Sequence, residues 1–214
     1  MPVLIYILTA LAAYLLGSIP TGFLVAKAKG IDIRAVGSGN IGATNAMRVL
    51  GKAAGIFVLL MDALKGFAAA AWLVSLMVKF FTFPPEQVED LKIIAGICAV
   101  LGHNYTCWLK FKGGKGIATT AGVYLALAPG AVLIALVIFV VAVALTKYVS
   151  VGAIAAAIAL PVIIWVMMPH NLFLGIVTTA LGALAIYKHK SNIQRLMAGT
   201  ENRLGKKKST EAAK

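Results

Sequence analysis

Between residues 36 and 48 the chain carries three glycines, Gly37, Gly39 and Gly42, interleaved with Ser38, Asn40, Thr44 and Asn45 and closed by Arg48. Glycine lets a backbone turn sharply and lie close against a ligand. The short polar side chains add donors, and the Arg48 guanidinium is a planar fork suited to phosphate. A glycine-rich turn that opens a helix also offers free N–H groups and the positive end of the helix dipole. The stretch therefore predicts a loop that holds a phosphate at a membrane surface. A plain interhelical turn accounts for the glycines but not for the polar set that ends in Arg48.

The order Gly37-Ser38-Gly39-Asn40-Ile41-Gly42 also fits G-x-G-x-x-G, and Asp62 lies 20 residues past Gly42. A dinucleotide site needs that fingerprint between a buried strand and a helix of a βαβ unit. Here a long apolar run precedes the glycines and Asp62 falls within the next one, so the required context is missing.

A second cluster runs from Lys110 and Lys112 through Gly113, Gly114, Lys115 and Gly116 to Thr119 and Thr120. It matches a P-loop only in part: Gly116 follows Lys115 where Ser or Thr belongs, and no glycine starts the loop. Glycines beside a lysine at a helix start still suit an anion. A basic turn at a membrane face explains the lysines but not three glycines around Lys115. In a third cluster His189, Asn192 and Arg195 follow i,i+3 spacing and lead to Gly199, Thr200 and Glu201. Alone, that segment reads as an amphipathic tail attracted to anionic lipid.

The elements that must position these clusters are membrane helices. Hydrophobic residues make up 61% of the 214 and charged residues 13%, with a mean hydropathy of +0.93. A soluble domain is nearer half apolar and a quarter charged. Cys98 and Cys107 lie in or beside one apolar run and are read as small packing residues. No metal-spaced Cys/His cluster occurs, so neither metal nor cofactor is expected. The first apolar run lacks the basic start of a signal peptide and is read as a retained helix.

Spans of about 20 apolar residues fit residues 3–26, 53–78 and 91–109, with Pro20 expected to kink or break the first. Residues 116–146 carry no charge, and Ala128, Pro129 and Gly130 sit near their middle. Met168, Pro169, His170 and Asn171 divide residues 148–187 into two further spans. Net charge is +13, and 17 of the 20 Lys and Arg lie in 27–52, 110–115, at Lys147 and in the tail from Lys188. Those segments share one face only if 116–146 breaks at Pro129, which the positive-inside rule favours. The basic balance is thus a topology signal and implies no nucleic-acid partner. The expectation is an all-α polytopic bundle of seven transmembrane helices, N-terminus outside and C-terminus cytoplasmic. Residues 1–204 form one domain and 205–214 a disordered basic tail. Asp62 and Lys65, spaced i,i+3 inside the second span, read as an ion pair orienting that helix, and His103 as a packing residue.

Taken together, the loop from Gly37 to Asn45 with Arg48, the turn from Phe111 to Gly116 with Ala118 and Thr119, and the run His189, Asn192, Ile193, Arg195, Leu196, Gly199, Thr200, Glu201 resemble the bacterial acyl-phosphate:glycerol-3-phosphate acyltransferase family. The stretch Gly17 to Gly22, Asp62 with Lys65 and Gly66, and Gly102-His103-Asn104 fit as well, so the likeness spans residues 3 to about 204. Tyr105-Thr106 departs from the more usual Phe-Pro. The resemblance implies that a fatty acyl phosphate donates its acyl group to the 1-hydroxyl of glycerol 3-phosphate, giving lysophosphatidic acid and phosphate. It implies catalytic roles for Ser38, Arg48, Lys115, His189 and Asn192. It implies substrate contacts for Gly37, Gly39, Asn40, Gly42, Thr44, Asn45, Gly113, Gly114, Gly116 and Ser150. The implied partners are the two substrates, membrane lipid and the peripheral enzyme that makes acyl phosphate. The implied location is the bacterial cytoplasmic membrane, with the active site toward the cytoplasm.

No His-x4-Asp pair of other glycerolipid acyltransferases is present, because Trp108, Gly175 and Gln194 occupy the Asp positions. An acyl phosphate is already an activated anhydride, which predicts direct attack by the substrate hydroxyl without an acyl-enzyme. Glu201 reads as structural, paired with a basic neighbour. A transporter of a phosphorylated solute is kept open by Asp62, Lys65 and the break near Pro20, but polar clusters at one face and no evident repeat speak against it. A lipid-binding scaffold would explain the basic surface but not the three donor-rich clusters.

Overall fold

A computed structural model describes residues 2–205; of the expected tail, 206–214 lie outside the described residues. The described chain is all helical. Helix α1 (Pro2–Ser18) and α2 (Thr21–Lys27) follow the first apolar run, interrupted at Ile19 and Pro20. Proline has no N–H to donate and its ring disturbs the preceding turn. The freed carbonyls find donors from neighbouring segments: the Thr106 hydroxyl donates to the Ser18 oxygen at 2.6 Å, and Lys65 Nζ to the Ile19 oxygen at 2.8 Å. In hydrocarbon such repair is what makes a broken helix tolerable.

The loop after α2 leads to a short amphipathic helix, α3 (Ala43–Leu50), and then α4 (Lys52–Ala68). A single π-helical turn, Ala69–Leu73, joins α4 to α5 (Val74–Phe80). Helix α6 covers Val88–Asn104, α7 Ile117–Leu127, α8 Pro129–Thr146, α9 Val149–Met167, α10 Leu172–Lys188 and α11 Lys190–Met197. The 116–146 run breaks at Ala128–Pro129, where proline takes the first helical position and its missing N–H costs nothing.

Four helical stretches are long and apolar enough to cross a membrane: Val3–Lys27, Lys52–Phe80, Pro129–Thr146 and Val149–Met167. A fifth is reached if α10 and α11, bent by 52°, are taken together. Helix α7, at 11 residues, is only ~16 Å long and covers about half of a bilayer core. Helix α6 ends at Asn104, short of the expected 109. The apolar run continues, but Cys107–Leu109 form a 3-10 turn and Lys110 and Phe111 take left-handed backbone angles.

Helices pack through small residues, as lipid-embedded helices do when no hydrophobic force separates helix from solvent. A Cβ on Gly17 would strike the Ala99 backbone and one on Gly102 that of Tyr14, so α1 and α6 touch nearly backbone to backbone. Gly66 and Gly122 do the same for α4 and α7, against Thr119 and Ala63. These two tight pairs hold α6 and α7, which flank the 113–116 turn, against α1 and α4.

Candidate active site

The first cluster is built around one buried side chain. Asn45, 2% exposed, lies in the first turn of α3. Its amide nitrogen donates to the carbonyls of Ile33, Val36 and Asn40 at 3.2, 3.1 and 2.9 Å. Its oxygen accepts from the Ser38 N–H at 2.9 Å. Asn40 Oδ1 in turn accepts from the Gly42 N–H at 2.8 Å. Gly37 has φ +64 and lies against Asn45 Oδ1, where a Cβ would collide. The loop is thus wound about Asn45, while Ser38, Thr44 and Arg48 stay exposed. Arg48 makes one long contact, Nη1 to Asn45 Oδ1 at 3.5 Å. Asn45, expected to donate to substrate, has its amide committed to backbone and shapes the loop instead.

The second cluster rests on the end of α6. The N–H groups of Gly113 and Gly114 donate to the carbonyls of Asn104 and His103 at 3.2 and 3.0 Å. A Cβ on Gly114 would fall on the His103 ring, so only glycine allows this seating. Gly116, with φ +84, caps α7. The turn delivers Lys115 to Asn192, to whose Oδ1 it donates a hydrogen bond.

The third cluster closes around Glu201. One carboxylate oxygen accepts from Asn192 Nδ2 at 2.8 Å and the Ser150 hydroxyl at 3.1 Å. The other accepts from Arg195 Nε at 2.7 Å. Burial pushes the Glu201 pKa up, but these hydrogen bonds and the Arg195 charge outweigh it and hold the carboxyl below its ordinary value. Since Glu201 fixes the Asn192 nitrogen, it turns the Asn192 oxygen toward Lys115.

Lys115 and His189 are shifted as well. Burial is the main cause that lowers the Lys115 pKa to about 8; the charges of Arg195, Arg48 and Lys188 add to it, and Glu201 opposes. The second and third clusters meet at the Lys115–Asn192 hydrogen bond, and the Arg48 charge lies near enough to lower the Lys115 pKa. His189, 3% exposed, sits at the bend between α10 and α11. Burial first, and then the Lys115 charge, lower its pKa to about 4. Its Nδ1 lies 2.8 Å from the Ala185 carbonyl, which can only accept. The ring is therefore neutral at pH 7 with its proton on Nδ1, which leaves Nε2 as an acceptor.

The sequence profile of glycerol-3-phosphate acyltransferases matches residues 7–199. The chain belongs to this family. Among glycerol-3-phosphate acyltransferases, that of Geobacter metallireducens is 52% identical over 201 residues, covering 94% of this chain and 98% of the relative. That of Geobacter sulfurreducens is 48% identical over 197 residues, 92% of this chain and 96% of the relative. The crystal structure of PlsY (YgiH), an integral membrane glycerol 3-phosphate acyltransferase, in its glycerol 3-phosphate form superposes with a TM-score of 0.84. It is 39% identical and covers 94% of this chain and 96% of that one. Its lysophosphatidic acid form gives 0.80 at the same identity, covering 94% and 95%. The protein is thus an integral membrane enzyme of the acyltransferase class.

In this acyltransferase the structure places Ser38 and Asn40 on one loop and Arg48 on the helix that the loop opens, and gathers Lys115, Asn192, Ser150 and His189 around the 113–116 turn. Lys188 was not among the sequence-predicted residues. Its Nζ donates to the Asn104 carbonyl at 3.1 Å and lies 4.5 Å from the Tyr105 ring centre, while its charge reaches Lys115. Its only signal in the sequence was adjacency to His189. No group of His, Cys, Asp and Glu among the described residues has the makings of a metal site.

Proposed function

We propose that the enzyme transfers a fatty acyl group from acyl phosphate to the 1-hydroxyl of sn-glycerol 3-phosphate, giving lysophosphatidic acid and phosphate. The observation that carries this reading is the hydrogen-bonded chain from Lys115 through Asn192 and Glu201 to Arg195 and Ser150, with the charges of Arg48 and Lys188 also acting on Lys115. Such a site has a surplus of cations and donors, which suits two phosphate-bearing reactants. The named relatives and the bound forms of PlsY support the acceptor and product.

The donor's mixed anhydride supplies the activation, so the protein's task is positioning and charge stabilisation. The substrate hydroxyl oxygen bonds to the acyl carbon, and the carbon–oxygen bond to phosphate then breaks. Phosphate leaves with the electron pair while Lys115 and Arg48 neutralise its charge. The hydroxyl proton passes to a substrate phosphate oxygen. His189, with its pKa lowered to about 4, is too weak a base in the unliganded site to be the first choice. Ser38, Asn40 and Asn192 hold phosphate oxygens, and the Gly37–Gly42 loop and the Gly113, Gly114 and Gly116 turn give the acceptor its seat. Ser150 and Thr44 border the same space.

The same reading sets the topology. Residues 1–204 form one domain of seven transmembrane segments in the bacterial inner membrane, with the N-terminus outside and the C-terminus cytoplasmic. It is supported by the helix break at Pro129, which lets the basic segments share a face. The site then opens to the cytoplasm, where a peripheral enzyme making acyl phosphate can deliver the donor.

Phosphate release by purified protein given acyl phosphate, with and without glycerol 3-phosphate, tests the reading. Release that depends on both substrates is expected, and Lys115→Ala should lower it about 10²-fold, the scale for removing one preorganised charge stabiliser. A covalent acyl-enzyme isolated on Ser38 would overturn direct attack.

A further inference from the structure

Below the catalytic loops lies a group of ionisable side chains that the proposed chemistry does not touch. Asp62, Lys65 and His103 are 3%, 6% and 5% exposed. Lys65 Nζ is 2.8 Å from Asp62 Oδ1, and His103 Nδ1 is 3.6 Å from the same oxygen. Lys65 also donates to the Ile19 carbonyl freed at the α1–α2 break. On the other side, the His103 ring presents Nε2 to Gly114, and its carbonyl accepts the Gly114 N–H. Asn104, next along α6, accepts from Gly113 and Lys188, and its side chain borders Gly116. The group therefore joins two irregular pieces of backbone: the break at Ile19–Pro20 and the turn that carries Lys115.

Repair of the Ile19 carbonyl accounts for Lys65 but not for Asp62 and His103. A buried ion pair seldom stabilises more than a well-packed apolar pair of the same volume. Moreover, His103 Nδ1 and Asn104 Oδ1 are buried without a hydrogen-bond partner among the described residues, a cost that an apolar floor would avoid. What the group does provide is direction. Asp62 faces one edge of the His103 ring, Gly114 lies on the other, and the spacing between them fixes where the 113–116 turn can sit.

We propose that Asp62, Lys65 and His103 are positioning residues for acyl transfer: they form the floor that sets the height of the Gly113–Gly116 turn and so aim Lys115 at the phosphate cradle. The inference rests on the proposed role of Lys115. Misplacing a catalytic group by about 1 Å can cost roughly 10²-fold in rate, so a floor far from the reacting atoms still controls turnover.

Two variants test it. In D62L/K65M both charges leave together, so neither remains buried and unpaired. H103A keeps the ion pair and empties the space under Gly114. The readouts are kcat and KM for phosphate release together with Tm of the purified protein. Both variants are expected to lower kcat per folded molecule at least ~10-fold, with Tm falling as well because H103A leaves a cavity and K65M leaves the Ile19 carbonyl without its Lys65 donor. In a Lys115→Ala background the same changes should add less than about threefold, because they act through a group already gone. If kcat per folded molecule stays near wild type, or if the losses multiply fully in the Lys115→Ala background, the positioning role is wrong. Should D62L/K65M not fold, H103A alone carries both comparisons. Wild-type protein that releases no phosphate from the two substrates would instead sink the proposed reaction, a result distinct from either.

Discussion

The two halves of the site are held in opposite ways. In the 36–48 segment the one buried polar side chain, Asn45, is bonded to backbone at four points, while the outward groups Ser38, Thr44 and Arg48 have almost nothing to bind. Around Lys115 the charged side chains are already linked: Lys115 with Asn192, Asn192 with Glu201, Glu201 with Ser150 and Arg195. One half is a fixed shape whose charge waits for a ligand. The other is a fixed charge network whose members a phosphate must share. The loop's outward side chains should therefore matter to turnover alone, and the network's members to both turnover and stability.

Arg48→Ala should break the comparison most visibly if it is wrong. Its guanidinium has one 3.5 Å contact, so loss of ~10²-fold or more in kcat/KM is expected with Tm nearly unchanged, since exposed substitutions stay within about 0.5 kcal/mol. Near-normal turnover would remove Arg48 from the site. Asn45→Ala should behave the other way, with activity lost because the loop unwinds. Removing a buried amide with four backbone bonds should cost at least ~1–3 kcal/mol, read as a clear fall in Tm. Glu201→Gln sharpens the contrast within the network: Arg195 loses its counter-charge, a cost of about 1–3 kcal/mol, and turnover falls less than in Arg48→Ala. A Glu201→Gln protein as stable as wild type would show that the network is not the clamp described here.

The smallest effect is a pH dependence. Lys115 has its pKa lowered to about 8, mainly by burial. Below that value it is charged and can neutralise phosphate. As pH rises through about 8 the free enzyme should lose kcat/KM, approaching tenfold per unit well above the pKa. The sign for stability is the reverse: the unfolded chain keeps the proton up to its ordinary pKa near 10.5, so Lys115's contribution to stability rises between about 8 and 10.5. Lys115→Arg should move the alkaline limb out of that range; a limb that stays in place belongs to another group.

Much of this was legible in the sequence because polar residues stand out in so apolar a chain. Gly37 to Arg48 and Gly113 to Gly116 stand out by composition, His189 to Asn192 only through the family resemblance, and the breaks at Pro20 and Pro129 by the loss of a backbone donor. What stayed hidden depends on distance along the chain. The partnership of Ser150 and Glu201 spans 51 residues, and nothing local signals it. The local Arg195–Glu201 pair was readable; the carboxylate's hold on Asn192 was not. The end of α6 was misplaced because Cys107, Trp108 and Leu109 extend an apolar run beyond the helix. Trp108 is 64% exposed and Leu109 is buried, a reversal that hydropathy cannot register. Asn45 reads in the sequence as a substrate contact; only the fold reveals that it lies in the first turn of α3 with its amide facing backbone.

The most direct test of the account is a crystal structure of the protein with glycerol 3-phosphate and a non-hydrolysable acyl phosphate analogue. Both phosphates should lie in one continuous cavity, touched between them by Arg48, Lys115 and Asn192. A structure with the two phosphates on separate faces, or with either Arg48 or Lys115 facing empty solvent, would contradict it.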